Sequence, residues 1–182
     1  MADPALYVVY LGGRAPGCHL EVHDVVFAAG RSLNDIHSQL LDQWFGDREQ
    51  VHVDAWARVE TVPGYRVKLS ARVPTGSTRL YFVNLGGYVP GELMERHASA
   101  LYGGDSVDEV KKRAREELLN DKHTVHRDDL YEVDDMLAIR SVQEFHVHLE
   151  PDRNAGSPEV TNGYFPVPRE TVDEWMREYA LD

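Results

Sequence analysis

The chain has one cysteine, Cys18, in 182 residues. A single thiol rules out an intramolecular disulfide framework and a cysteine-rich zinc site, and this usage fits a reducing compartment. Basic residues are also scarce, with 19 Lys and Arg against 31 Asp and Glu, for a net charge of −12. Nucleic acid and anionic membrane are polyanions that require a basic surface, so neither is an expected partner. A cationic protein partner or a small molecule is the class of ligand this balance admits. No apolar run approaches the roughly 18 to 20 residues that cross a bilayer. The opening stretch MADPALYVVYLGG has no basic segment ahead of its short apolar run, so the expected location is cytoplasmic.

What is present is an ordinary globular composition, 42% apolar and 27% charged, enough for one large or two small cores. The organisation lies in a repeat. LGGRAPGCHLEVH, from Leu11 to His23, returns as LGGYVPGELMERH, from Leu85 to His97, an offset of 74 positions. Leu6, Tyr7, Val9, Gly30 and Ser32 recur at the same offset as Leu80, Tyr81, Val83, Gly104 and Ser106. The offset also carries Val51, His52, Asp54 and Val59 onto Val125, His126, Asp128 and Val133. After these the second copy gains about six residues, and YRVKL at Tyr65 matches FHVHL at Phe145. An ungapped match of this extent identifies a tandem duplication.

Each copy reads as strand, strand, helix, strand, strand. LYVVYL and LYFVNL lack polar alternation and suit central strands covered on both faces. Val22, Val25, Val26 and Phe27 favour a second strand. Ser32 with Asp35, and Ser106 with Glu109, have the spacing of a capping box at a helix start. Leu33, Ile36, Leu40 and Trp44 form the first helix's apolar stripe, and Val107, Val110, Ala114 and Leu118 the second's. QVHVDAWARV and YRVKLSARV, across Pro63-Gly64, read as a hairpin. PDRNAGSPEVTNGYFPVP reads as irregular chain, followed by a helix opened by Pro168, with Val172, Trp175, Met176 and Tyr179 on one face. The predicted fold is α+β: a tandem duplication of a ββαββ unit, mainly antiparallel sheet with helices packed on one side, plus a C-terminal helix. The predicted segments are 1–73 and 79–150 for the repeats and 151–182 for the irregular stretch and final helix.

The repeated glycines do not make a phosphate loop, because no Lys-Ser or Lys-Thr follows and a strand, not a helix, comes next. They read as a tight connection between strands. The chemistry lies beside them. Strand periodicity of two puts Glu21 and His23 on one face, and His52 and Asp54 on one face; Glu95 with His97 and His126 with Asp128 repeat the pattern. These eight residues are the candidate ligand-binding set. The favoured reading is a polar tie between strands, each pair satisfying groups that cost about 1 to 3 kcal/mol when buried unpaired. The alternatives are a divalent metal site, for which imidazole and carboxylate are suitable ligands, and a metal-free ligand or acid–base site. Cys18-His19 points to opposite faces of its strand and lacks a counterpart in Glu92-Leu93. His146 and His148 read as a solvated edge, and the acidic run from Arg127 to Asp135 as charged surface.

The G-G-x-x-P-G-x-x-x-E-x-H phrase, with the capped helix and VHVDAW after it, resembles an uncharacterised family of small bacterial proteins classed as a domain of unknown function. The resemblance spans Leu6 to Leu69 and, more loosely, the second copy, which departs from the phrase at Ala98 and Ser99. It implies a bacterial cytosolic protein and supplies no catalytic residues. With no complete catalytic constellation, the expected function is a binding or protein-interaction module. The alternative is a small-molecule enzyme, a metal-assisted hydrolase using the repeated His and carboxylate residues, with metal-bound water as nucleophile.

Overall fold

Leu6, Tyr7, Val9 and Leu11 favour an extended chain, and they lie in the first strand, β1 (Ala5–Gly13). The structure, a computed structural model, describes residues 3–118 and 131–179, and over 131–134 the backbone alone. It is of mixed class, with antiparallel sheets and three α-helices among the described residues, in agreement with the α+β expectation. None of those helices is long and apolar enough to cross a membrane.

The chain divides into two compact units, Met1–Glu60 with Pro158–Asp182, and Thr61–Ser157. In the first, β1 pairs antiparallel with β2 (Val22–Gly30) on one side and β3 (His52–Val59) on the other. A late strand, β11 (Thr161–Pro166), adds to β3, giving the order β11-β3-β1-β2. This strand lies within the stretch expected to be irregular. Alternation along β1 sends Tyr7, Val9 and Leu11 to one face, where they pack with Ile36, Leu40 and Trp44 of the helical segment and with Val172. Val172 belongs to the final helix, α3 (Arg169–Tyr179). The opposite face emerges from burial along the strand, and Tyr10 is 45% exposed.

The capping residues do what their spacing predicts, in a different local geometry. Ser32 Oγ accepts the Asp35 N–H at 3.4 Å and donates to Asp35 Oδ1 at 2.9 Å, while Asp35 Oδ2 accepts the Arg31 N–H at 3.1 Å. This reciprocal pair closes a 3₁₀ turn, Asn34–Ile36, and the α-helix, α1 (His37–Gln43), starts only after it. In the second unit Ser106 Oγ accepts the Glu109 N–H at 3.3 Å at the start of α2 (Val107–Leu118).

The second unit begins with β4 (Thr61–Val62) and β5 (Tyr65–Ser70), continues with β6 (Arg79–Gly87) and β7 (Arg96–Gly104), and after α2 has β8 (Tyr131–Ile139), β9 (Ser141–Val142) and β10 (Phe145–Pro151). One sheet runs β7-β6-β8 and the other β4-β5-β10-β9. The expected hairpin between β3 and β5 is not formed. β5 makes only a two-residue ladder with β4 across Pro63-Gly64 and gives its other edge to β10, pairing Tyr65 with Pro151 and Ser70 with His146. The fourth strand of the first repeat therefore belongs to the second unit, so the units do not follow the expected segments 1–73 and 79–150.

Register also corrects the alignment of the two copies. Leu6 opposes Val59 and Gly12 opposes His52, whereas Leu80 opposes Ile139 and Gly86 opposes Glu132. The extra residues thus precede β8 rather than follow it. Glu132 takes the backbone position of His52, and Asp134 that of Asp54. His126 and Asp128, expected as the counterparts, lie outside the described residues. Tyr131–Asp135, read as charged surface, opens a strand.

Candidate metal centre

Gly12 sits in the middle strand of its sheet, directly opposite His23 on β2 and directly opposite His52 on β3. Directly opposed residues share a face, so the two imidazoles stand on either side of a residue without a side chain. Period two brings Glu21 beside His23 and Asp54 beside His52 on that face. Asp54 lies at a register shift between Tyr10 and Leu11, where β3 gains one residue against β1. Such a bulge re-aims the side chains next to it.

The four side chains close a ring. His23 Nε2 is 3.2 Å from Glu21 Oε1 and 3.1 Å from Asp54 Oδ2; His52 Nε2 is 3.3 Å from the same Glu21 oxygen and 3.2 Å from Asp54 Oδ1. Neighbouring ligands about an ion with bonds of about 2.0 to 2.2 Å stand about 3.0 to 3.5 Å apart, the range in which each of these four separations falls. Among the described residues, Glu21, His52 and Asp54 form the one converging group of three potential ligands, and His23, which touches both carboxylates, stands outside it. An ideal Cβ on Gly12 would fall 2.6 Å from Asp54 Oδ2, 2.7 Å from His52 Nε2 and 3.0 Å from Glu21 Oε1. The absent side chain is what leaves room between the donors.

Neutral imidazoles satisfy this ring poorly. His52 is buried, and its Nδ1 lies 3.3 Å from the Gln50 carbonyl, which can only accept, so Nδ1 carries the hydrogen. In the neutral ring Nε2 then presents a lone pair to two carboxylate oxygens. Each Nε2 is moreover shared between two carboxylates, and one N–H cannot point at both. A cation between the donors would answer these lone pairs together, with the Gln50 carbonyl fixing the His52 ring from behind.

Aromatic rings flank both imidazoles. Tyr10 stacks on His23 with centroids 5.1 Å apart and planes 1° from parallel. Tyr164, on β11, lies 4.4 Å from the His52 ring at 44°. A register shift between Asn162 and Phe165, with Gly163 at φ 155°, brings Tyr164 over the site. Burial, followed by the charges of Asp54 and Asp24, holds the Tyr10 phenol above the usual tyrosine range. On the side away from Gly12 the site opens: the Glu21 side chain is 44% exposed and that of His23 36%.

The second copy builds something else from similar residues. Gly86 is opposed by His97 on one side and Glu132 on the other. Asn84 stands where Tyr10 does, and Ser99 Oγ donates to its Oδ1 at 2.8 Å. Its amide nitrogen is therefore the group 3.2 Å from His97 Nδ1. An amide N–H donating there makes Nδ1 the acceptor and puts the ring hydrogen of neutral His97 on Nε2, the reverse of His52. Glu95 is 3.8 Å from that Nε2. His148 Nε2 lies 2.6 Å from the Arg72 carbonyl and donates to it, and Cys18 is exposed.

Of the eight candidates, the structure brings Glu21, His23, His52 and Asp54 together, and what organises them lies outside the candidate set. From sequence Gly12 reads only as part of a turn, because its place between the two polar pairs is set by strand pairing. Tyr10 and Tyr164 had no chemical signal of their own.

The crystal structure of the protein Il1583 from Idiomarina loihiensis is similar, with a TM-score of 0.72 and 31% identity over 92% of this chain and 99% of that one. None of the curated proteins compared with the chain matches it. The family model for the domain of unknown function DUF1543 matches residues 18–69 and 92–149, segments that hold Glu21 to Asp54 and Glu95 with His97. The chain belongs to the DUF1543 family.

Proposed function

We propose that this protein is a metal-binding module, holding one divalent first-row transition ion at Glu21, His52 and Asp54, with His23 drawn in as the fourth ligand when the ion binds. The observation that carries this reading is the convergence of the donor atoms of Glu21, His52 and Asp54 around the space that Gly12 leaves open. Two imidazoles and two carboxylates suit Zn²⁺, Mn²⁺, Fe²⁺ or Ni²⁺, and the acidic balance of the chain, −12 overall, concentrates cations near its surface. The reading replaces the polar tie between strands favoured on sequence grounds. It narrows the expected binding module to one kind of ligand, and the exposed side of the site leaves room for a metal-assisted reaction.

Elemental analysis of purified protein and calorimetric titration of chelator-treated protein with zinc test the proposal. One equivalent should bind, and His52→Ala should abolish retention while the circular dichroism of the fold persists. Chelator-treated wild-type protein that gives no heat with zinc, cobalt or manganese would overturn it.

A further inference from the structure

The surroundings of the four ligands say what second ligand such an ion would accept. We infer that the ion's outward position takes a neutral, flat nitrogen-donor ligand whose ring lies against Tyr164, and that phosphates and carboxylates are poor ligands there. The inference rests on the metal reading above and adds a ligand class to it.

Charge supplies the first argument. A divalent ion held by two carboxylates and two neutral imidazoles has no net charge left to attract an anion. Among the described residues the ion pairs of Glu21 and Asp54 are with imidazoles, with no guanidinium or ammonium paired to either carboxylate to draw an anion in. An incoming phosphate or carboxylate would meet this field without compensation.

Shape supplies the second. Gly12 closes the sheet side of the ring, and its two imidazoles carry aromatic neighbours, Tyr10 against His23 and Tyr164 against His52. Tyr164 is 69% exposed. Exposed aromatic faces beside a metal favour a flat partner that stacks while it coordinates. Tyr164 is thus a specificity residue, apart from the four ligands.

Chelator-treated protein loaded with cobalt provides the test. Cobalt's visible bands report the inner ligands directly, and their intensity and position change when an outside ligand coordinates. Titration with imidazole, benzimidazole, acetate and inorganic phosphate should show benzimidazole binding most tightly, and phosphate and acetate leaving the bands unchanged. Tyr164→Ala should keep the cobalt bands and weaken benzimidazole about two- to tenfold, with little change for imidazole. Bands that shift with phosphate at least as readily as with benzimidazole would overturn the ligand class. So would a benzimidazole preference that survives Tyr164→Ala. Wild-type protein that develops no cobalt bands at all would overturn the metal reading and this inference together.

Discussion

Gly12 has no positive φ, so its backbone would accept an alanine; only the space between the donors forbids one. Gly12→Ala should therefore weaken zinc affinity by about 10- to 100-fold or more while the far-ultraviolet spectrum stays that of wild type, because the methyl displaces ligands and not the strand. The same substitution at Gly76, where an added Cβ meets nothing within 4 Å, should change neither. His37 offers a separate check on the first unit. It is buried at the start of α1, and burial holds its imidazole below the usual range. The unfolded chain consequently binds more protons than the folded one near pH 6.5, so the neutral ring's contribution is complete above about pH 6.5 and is lost as pH falls through the lower folded value. His37→Leu should lose less stability than wild type between about pH 7.5 and pH 5.5, as read from urea midpoints. An unchanged difference would place the acid sensitivity elsewhere.

Strands decide how much of the site was legible in advance. The period of two is a local property, so the faces shared by Glu21 with His23 and by His52 with Asp54 followed from spacing alone. The meeting of the two pairs did not, because it depends on β2 and β3 flanking β1 in one register, a nonlocal choice fixed by packing. Central placement of β1 and β6 was readable from their unbroken apolar runs. The partner of β5 was not: YRVKLSARV suits any neighbouring strand, and the match between copies gave no reason to prefer β10 to β3. Tyr164 was lost for a similar reason, since Gly and Pro around it read as loop and β11 forms only because β3 leaves an edge to pair with. The second sheet of the other unit can be probed at Gly103, where an added Cβ would lie 2.5 Å from the Tyr65 ring and 3.1 Å from Leu149. Gly103→Ala should lower stability by about 1 to 3 kcal/mol in chemical denaturation, through overpacking rather than backbone strain.

The first unit is assembled from two separated stretches of chain, Met1–Glu60 and Pro158–Asp182. Its core includes Val167 and Val172, and α3 is tied to α1 by Trp175 Nε1 donating to Asp42 Oδ1 at 2.7 Å. Ending the chain after Ser157 should uncover that core, with a visible consequence in binding of a hydrophobic dye, and should also remove Tyr164. A truncated chain that unfolds as cooperatively as the full one would contradict this arrangement. The pairing of Trp56 with Thr161 joins residues about a hundred positions apart, a closure whose entropic cost must be met before the edge of the sheet is complete. Contacts of such high order form late and slow folding. On the ribosome, the first sixty residues would emerge and wait, their sheet lacking an edge strand, while Thr61–Ser157 is made and can close on itself. Synthesis thus runs from one end to the other, but the molecule is finished from the middle outward.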